Sequence, residues 1–193
     1  MRIAFSAALS AALAVVSAQA PPPVEAGTAL RLEVEGLVDR ADLAIEARVL
    51  SARARLDARG RIETEYELAV ARVFWGNPGA RLVFSLPGGE LPDGRGLWLP
   101  GMPSLVPGED VVLFLTGEDS LGSRMPVGLS QGKLRVVRDR RGARSLASEL
   151  NGAELVAPGG AVPAADGLRL LDYAATLARI EAAAAGRRIR EGR

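Results

Sequence analysis

Glu63, Glu65 and Glu67 alternate with Ile62, Thr64, Tyr66 and Leu68, so a strand through them carries three carboxylates on one face. Clustered carboxylates can serve as general acid and base or hold a hard cation. Ser130 and Lys133 form a second candidate, a hydroxyl nucleophile with an amine base. Gln131-Gly132 between them reads as a turn, so the two side chains do not share a helix face. Gly88-Gly89 lacks a following Gly-Lys-Ser/Thr and a helix pattern, which removes a phosphate loop. The 193-residue chain contains neither His nor Cys. That excludes Ser-His-Asp and Cys-His catalysis, His-based zinc hydrolysis and a disulfide framework. No catalytic, cofactor-binding or metal-ligating residue is assigned. The carboxylate row reads instead as a solvated strand face paired with arginines.

Charge points the same way. Lys+Arg is 24 against Asp+Glu 23, and Lys133 is the sole lysine. Basic residues are interspersed except at Arg187, Arg188, Arg190 and Arg193, and aromatic content is only 4%. Neither a basic face nor stacking platforms are provided for bases, so no nucleic-acid partner is expected.

The elements that would position these residues follow from periodicity. Leu30–Arg40 has apolar residues at helical spacing and reads as a short helical turn. From Asp42 towards Leu56, Leu43, Ile45, Ala47 and Val49 alternate with polar or small residues, giving a half-buried strand. A turn at Asp57–Arg61 joins it to the carboxylate-bearing strand. Centring that hairpin on Arg59 sets Arg53 opposite Glu65 and Arg55 opposite Glu63, cross-strand pairs contributing roughly 0.2–1 kcal/mol each. Leu82–Leu86 is a third strand. The apolar run Glu109–Thr116 reads as a central strand buried on both faces, and Met125–Leu129 and Lys133–Arg138 read as two more. The expected fold is mainly β: a small antiparallel OB-like barrel or sandwich of five to six strands, with a short N-terminal helical turn and a C-terminal helix.

Residues 1–18 have one basic residue, an apolar stretch and small residues, the layout of a secretory signal peptide, with a cut after Ala20 as the alternative. Residues 19–29, with Pro21-Pro22-Pro23, form an extended leader, and residues 30–148 the β domain. Residues 149–165 are a Gly/Pro/Ala-rich linker. Residues 166–186 form the C-terminal helix, capped by Asp166, and 187–193 a disordered basic tail. No integral membrane segment is expected after cleavage, so the protein is secreted or periplasmic.

Between the third strand and the central strand lies an unusually long irregular stretch, Pro87–Gly108, rich in Gly and Pro. Long loops in compact domains are uncommon and often functional. Leu97-Trp98-Leu99, with Met102, is either a pin into the core, the favoured reading, or a contact surface for a partner.

Three segments together carry a resemblance: Leu37-Val38-Asp39-Arg40-Ala41-Asp42-Leu43, Val73-Phe74-Trp75-Gly76 ahead of Pro87-Gly88-Gly89, and Gly101-Met102-Pro103 ahead of Pro107-Gly108-Glu109 and Val111–Leu115. With Gly128–Lys133, they resemble a group of exported bacterial proteins of unknown function over roughly residues 30–140. The order of parts is also distantly similar to the netrin-like module of the tissue inhibitors of metalloproteinases, which implies an OB-type barrel. Those inhibitors act through an N-terminal cysteine, which this chain does not have, so the resemblance carries no inhibitory residue here.

The expectation is an exported, non-enzymatic β-barrel module that binds a protein or cell-envelope partner. Its contacts are Leu97, Trp98, Leu99 and Met102, with the outer face of the first hairpin. The alternatives are a secreted protease inhibitor or protease-associated accessory protein, and an enzyme working with carboxylates alone.

Overall fold

In the computed structural model the described residues are 28–120, 122–149, 154–156 and 168–192. The residues expected to form a signal peptide, the expected leader up to residue 27 and most of the expected linker lie outside them, as do Asp166 and Arg193.

The organising element is an antiparallel hairpin of two long strands, β2 (Leu43–Leu56) and β3 (Ile62–Trp75). Its turn is built by Asp57, whose carboxylate accepts from the Arg59 and Arg61 backbone N–H groups at 2.8 Å each and pairs with the Arg61 guanidinium. This fixes the register expected from charge: Arg53 faces Glu65 and Arg55 faces Glu63. β4 (Arg81–Pro87) continues the meander on β3, and β7 (Asp110–Leu115) pairs with the first half of β2. β8 (Lys133–Arg138), β9 (Arg144–Ser148) and β11 (Arg169–Asp172) extend the sheet to the order β11-β9-β8-β7-β2-β3-β4, antiparallel throughout. Two small sheets accompany it: β1 (Thr28–Leu30) with β10 (Glu154–Val156), and β5 (Gly89–Glu90) with β6 (Gly96–Leu97). β10 therefore interrupts the expected linker.

β7 is the middle strand of the seven and is buried on both faces, as its unbroken apolar sequence requires. Val111, Leu113 and Leu115 join Ile45, Val49, Leu68 and Phe84 in one core. Val112 and Phe114 join a second core, formed with the two helices α1 (Val34–Arg40) and α2 (Tyr173–Glu191).

The expected mainly β, antiparallel architecture is present, but in place of an OB-like barrel or sandwich of five to six strands the described residues form an open sheet of seven. β2 carries three register shifts against β3, irregularities that bend and twist a sheet. β4 nevertheless keeps a free edge, touched by the β7–β8 connection through the isolated parallel bridge Ser85↔Ser123. The segment that could seal the seam, Met125–Leu129, is not the strand its sequence suggested. It contributes one bridge, Leu115↔Pro126, then turns at Gly128 into a 3-10 helix, Leu129–Gly132.

Three boundaries also move. The first helix begins at Val34, not Leu30, because Thr28–Leu30 pairs with β10. The C-terminal helix begins at Tyr173, where the Asp172 carboxylate accepts from the Ala175 N–H at 2.7 Å. The preceding residues are drawn into strand β11 beside β9. The helix also runs through Gly186 to Glu191, so the basic tail is ordered over most of its length. Arg187 donates to the carbonyls of Val38 and Ala41, and Arg188 to that of Phe74 at 2.7 Å. Acceptors on other elements hold those arginines, and nothing in the local sequence announces them.

Candidate functional site

The loop Pro87–Gly108 and the inner face of the β2–β3 hairpin enclose a groove of about 230 Å3. Its floor is Ala52 opposite Tyr66 and Ala54 opposite Thr64, two cross-strand pairs projecting to the same face. The small alanines leave the space and the facing Thr64 and Tyr66 define its depth. Tyr66 is buried, with its ring 5.9 Å from that of Phe84. Its hydroxyl accepts from the Leu105 N–H at 3.5 Å, and burial pushes the phenol above its ordinary range.

The loop is fastened over this floor at several points. The buried Thr64 hydroxyl donates to the Gly88 carbonyl at 2.7 Å. Gly89 sits at φ +125°, and a Cβ there would lie 2.2 Å from Thr64 Oγ1, so only glycine allows this approach. β5 and β6 then form a two-residue ladder, with Gly89 opposite Leu97 and Glu90 opposite Gly96. On the far side, the Ser130 N–H donates to the Gly101 carbonyl at 2.8 Å. Lys133 donates to the Ser104 carbonyl at 2.6 Å and pairs with Glu109 at 2.8 Å, both side chains being about one-tenth exposed.

All four sequence-predicted contact residues, Leu97, Trp98, Leu99 and Met102, line this groove. The core-pin expectation is overturned for the tryptophan: Trp98 is 74% exposed, and Leu97 and Leu99 are exposed at its sides. The core position is taken by other residues of the same loop, Leu91 and Leu105, both buried. Sequence reasoning missed the hairpin's contribution. It singled out the outer face, whereas Ala52, Ala54, Thr64 and Tyr66 lie on the inner one. Their alternation with the carboxylates was the available signal. It also passed over Glu90, the sole charged residue on the groove lining.

The other candidates are engaged elsewhere. Arg55 bridges Glu63 at 2.9 Å and Glu65 at 3.1 Å, and Arg81 pairs with Glu67. The carboxylate row is thus an arginine-paired face, but Glu65 is held by Arg55 and not by its register partner Arg53, as the cross-strand reading had expected. Ser130 lies on the 3-10 helix and Lys133 heads β8, with the ammonium held by Glu109 and Ser104. Among the described residues no group of three acidic side chains is arranged to hold a metal ion, and no helix is long and apolar enough to cross a membrane.

No family model, no curated protein and no solved structure matches this chain.

Proposed function

We propose that this chain is an exported, non-enzymatic β module that binds a protein or cell-envelope partner through the groove beneath the Pro87–Gly108 loop. The observation that carries the reading is Trp98, a large apolar side chain left 74% exposed on the groove wall. Exposed aromatic residues flanked by aliphatic neighbours are the usual anchors of binding surfaces. The volume of about 230 Å3 falls below the roughly 300–1,000 Å3 of small-molecule sites, which favours a side chain of a macromolecule over a free cofactor. The non-enzymatic part rests on the engagement of the reactive side chains: the glutamates with arginines, and Lys133 with Glu109. Export rests on the layout of residues 1–18.

Trp98→Ala tests this. Because the side chain is exposed, unfolding stability should stay within about 0.5 kcal/mol of wild type. Capture from the exported fraction should retain a component with the wild-type chain and lose it with the variant. Equal retention by both, or none by either, refutes the groove as the binding site.

A further inference from the structure

Three aromatic side chains of this protein are covered by arginine. The Arg187 guanidinium lies 4.2 Å over Trp75 and pairs with Glu191 at 2.6 Å. Arg72 lies 5.8 Å from the Phe74 ring centroid and pairs with Glu181 at 3.2 Å. Arg144 lies 3.9 Å over Tyr173, whose hydroxyl donates to Glu46 at 2.6 Å. In the first two the carboxylate holds the guanidinium that covers the ring; in the third Glu46 accepts from the tyrosine hydroxyl, to which Arg144 also donates. Phe84, Phe114 and Tyr66 are buried in the core, which leaves Trp98 as the exposed ring with no cation over it among the described residues.

A glutamate backbone position lies across the β5–β6 ladder from Gly96, just before Trp98. Glu90 is opposite Gly96 in the β5–β6 ladder, and Trp98 is two residues further along the same strand direction. Residues at that offset share a face and are diagonal neighbours, about 7–8 Å apart across the pair. The indole folds back towards Glu90: a Cβ on Gly96 would lie 3.4 Å from Trp98 Nε1. The Glu90 side chain makes no hydrogen bond or ion pair among the described residues, and the groove lining holds no Lys or Arg.

We infer that the groove takes an arginine or lysine side chain of a partner protein, its cation over the Trp98 ring and against the Glu90 carboxylate, its aliphatic stem along Leu97, Leu99 and Met102. The inference rests on the groove being the binding site, and supplies the carboxylate-paired cation that covers Trp75 and Phe74 within the chain. A positive charge over an indole face is attracted by the ring quadrupole, and the nearby carboxylate adds Coulombic attraction. The groove volume suits one long side chain. A glycan is served poorly. Thr64 and the Tyr66 hydroxyl already have partners, which leaves Ser104, Glu90 and the Trp98 N–H to meet several sugar hydroxyls.

The test uses the full chain, isotope-labelled, and follows the indole N–H signal of Trp98, one of only two tryptophans, assigned by its loss in Trp98→Ala. The probes are capped peptides Gly-Pro-X-Pro-Gly with X arginine, lysine, citrulline or glutamate, and a trimer of N-acetylglucosamine. Arginine and lysine peptides should move the signal saturably, with the neutral isostere citrulline and the glutamate peptide weaker by roughly tenfold or more. Added salt should shrink that preference. Glu90→Gln should bring the arginine peptide close to the citrulline one while leaving the free-state spectrum otherwise intact. Equal binding of arginine and citrulline peptides overturns the inference, as does silence towards all probes. Tighter binding of the sugar trimer, or a Trp98 signal that moves with the protein's own concentration, overturns it in favour of a glycan or a second copy. A component captured through Trp98 by a chain indifferent to the basic peptides leaves the groove reading standing and removes this inference alone.

Discussion

Replacing Lys133 by Met should be among the most damaging single changes in the protein, and the reason lies in two contacts. The ammonium pairs with Glu109 at 2.8 Å and donates to the Ser104 carbonyl at 2.6 Å. Both partners of the pair are about one-tenth exposed, so water screens the interaction little. Removing one member of a buried pair leaves the other charge desolvated, at a cost of about 3–5 kcal/mol. Glu109 keeps one compensating bond, from the Val106 N–H at 2.8 Å, which places the loss at the lower end. The lost bond to Ser104 adds about 1 kcal/mol, for a total of about 3–4 kcal/mol. With a urea slope of about 1–3 kcal/mol/M, the unfolding midpoint should fall by at least about 1 M. Adding Glu109→Gln to Lys133→Met removes the orphaned charge while keeping an acceptor for Val106. The double variant should therefore recover to within about 1–2 kcal/mol of wild type. Amide exchange at Leu105 and Ser130 should accelerate in the single variant, because the loop loses its tie to β8. A loss under about 1 kcal/mol in Lys133→Met, or no recovery in the double variant, refutes the reasoning.

Two further outcomes are expected. Gly89→Ala places a Cβ 2.2 Å from Thr64 Oγ1 at a φ of +125°. Backbone strain of about 1–3 kcal/mol and loss of the buried Thr64–Gly88 hydrogen bond together should cost about 2–5 kcal/mol in urea unfolding. Thr64→Ala in the same chain should recover the steric part. Both tyrosines are held above their ordinary value of 10.0, Tyr66 by burial and Tyr173 by burial first and then the Glu46 carboxylate its hydroxyl bonds. The native state keeps these protons longer than the unfolded chain. Their contribution to stability is full below about pH 10 and is lost as pH rises through the native values. Tyrosinate absorbance of the native protein should lag behind that of the urea-unfolded protein on alkaline titration; coincident curves would contradict the burial argument.

How much was legible in the sequence depended on how far each residue's partner lies along the chain. The turn end of the β2–β3 hairpin, Ser51–Leu56 against Ile62–Glu67, could be read to the residue, because alternation fixed its faces and the polar turn at Asp57 fixed its centre, whereas the three register shifts beyond it left no mark in the alternation. Asp172 caps the second helix as an Asp was expected to, yet Asp166 was chosen, because the pairing that draws Arg169–Asp172 into β11 comes from β9. The order of Arg187 and Arg188 is a similar case: a run of arginines reads as a solvated tail until carbonyls of Val38, Ala41 and Phe74 are placed beside it. In the groove, the loop residues were singled out by composition. The floor and Glu90 were not, because a groove exists only where two distant segments meet.

The sequence by itself determined the chemistry available and the local elements. It has no histidine or cysteine, it carries an arginine-matched carboxylate strand, and its central strand is buried on both faces. Those properties follow from residue identity and short-range period, which tertiary context did not overturn. Only the tertiary structure decided that the sheet stays open, that Lys133 is a clamp, and that Trp98 faces solvent. Periodicity reports which side of an element is apolar. What covers that side depends on contacts between residues far apart in the chain, and in the Pro87–Gly108 loop there is no period to report even that. Leu91 and Leu105 took the core positions, and the tryptophan between them was left on the wall of the groove.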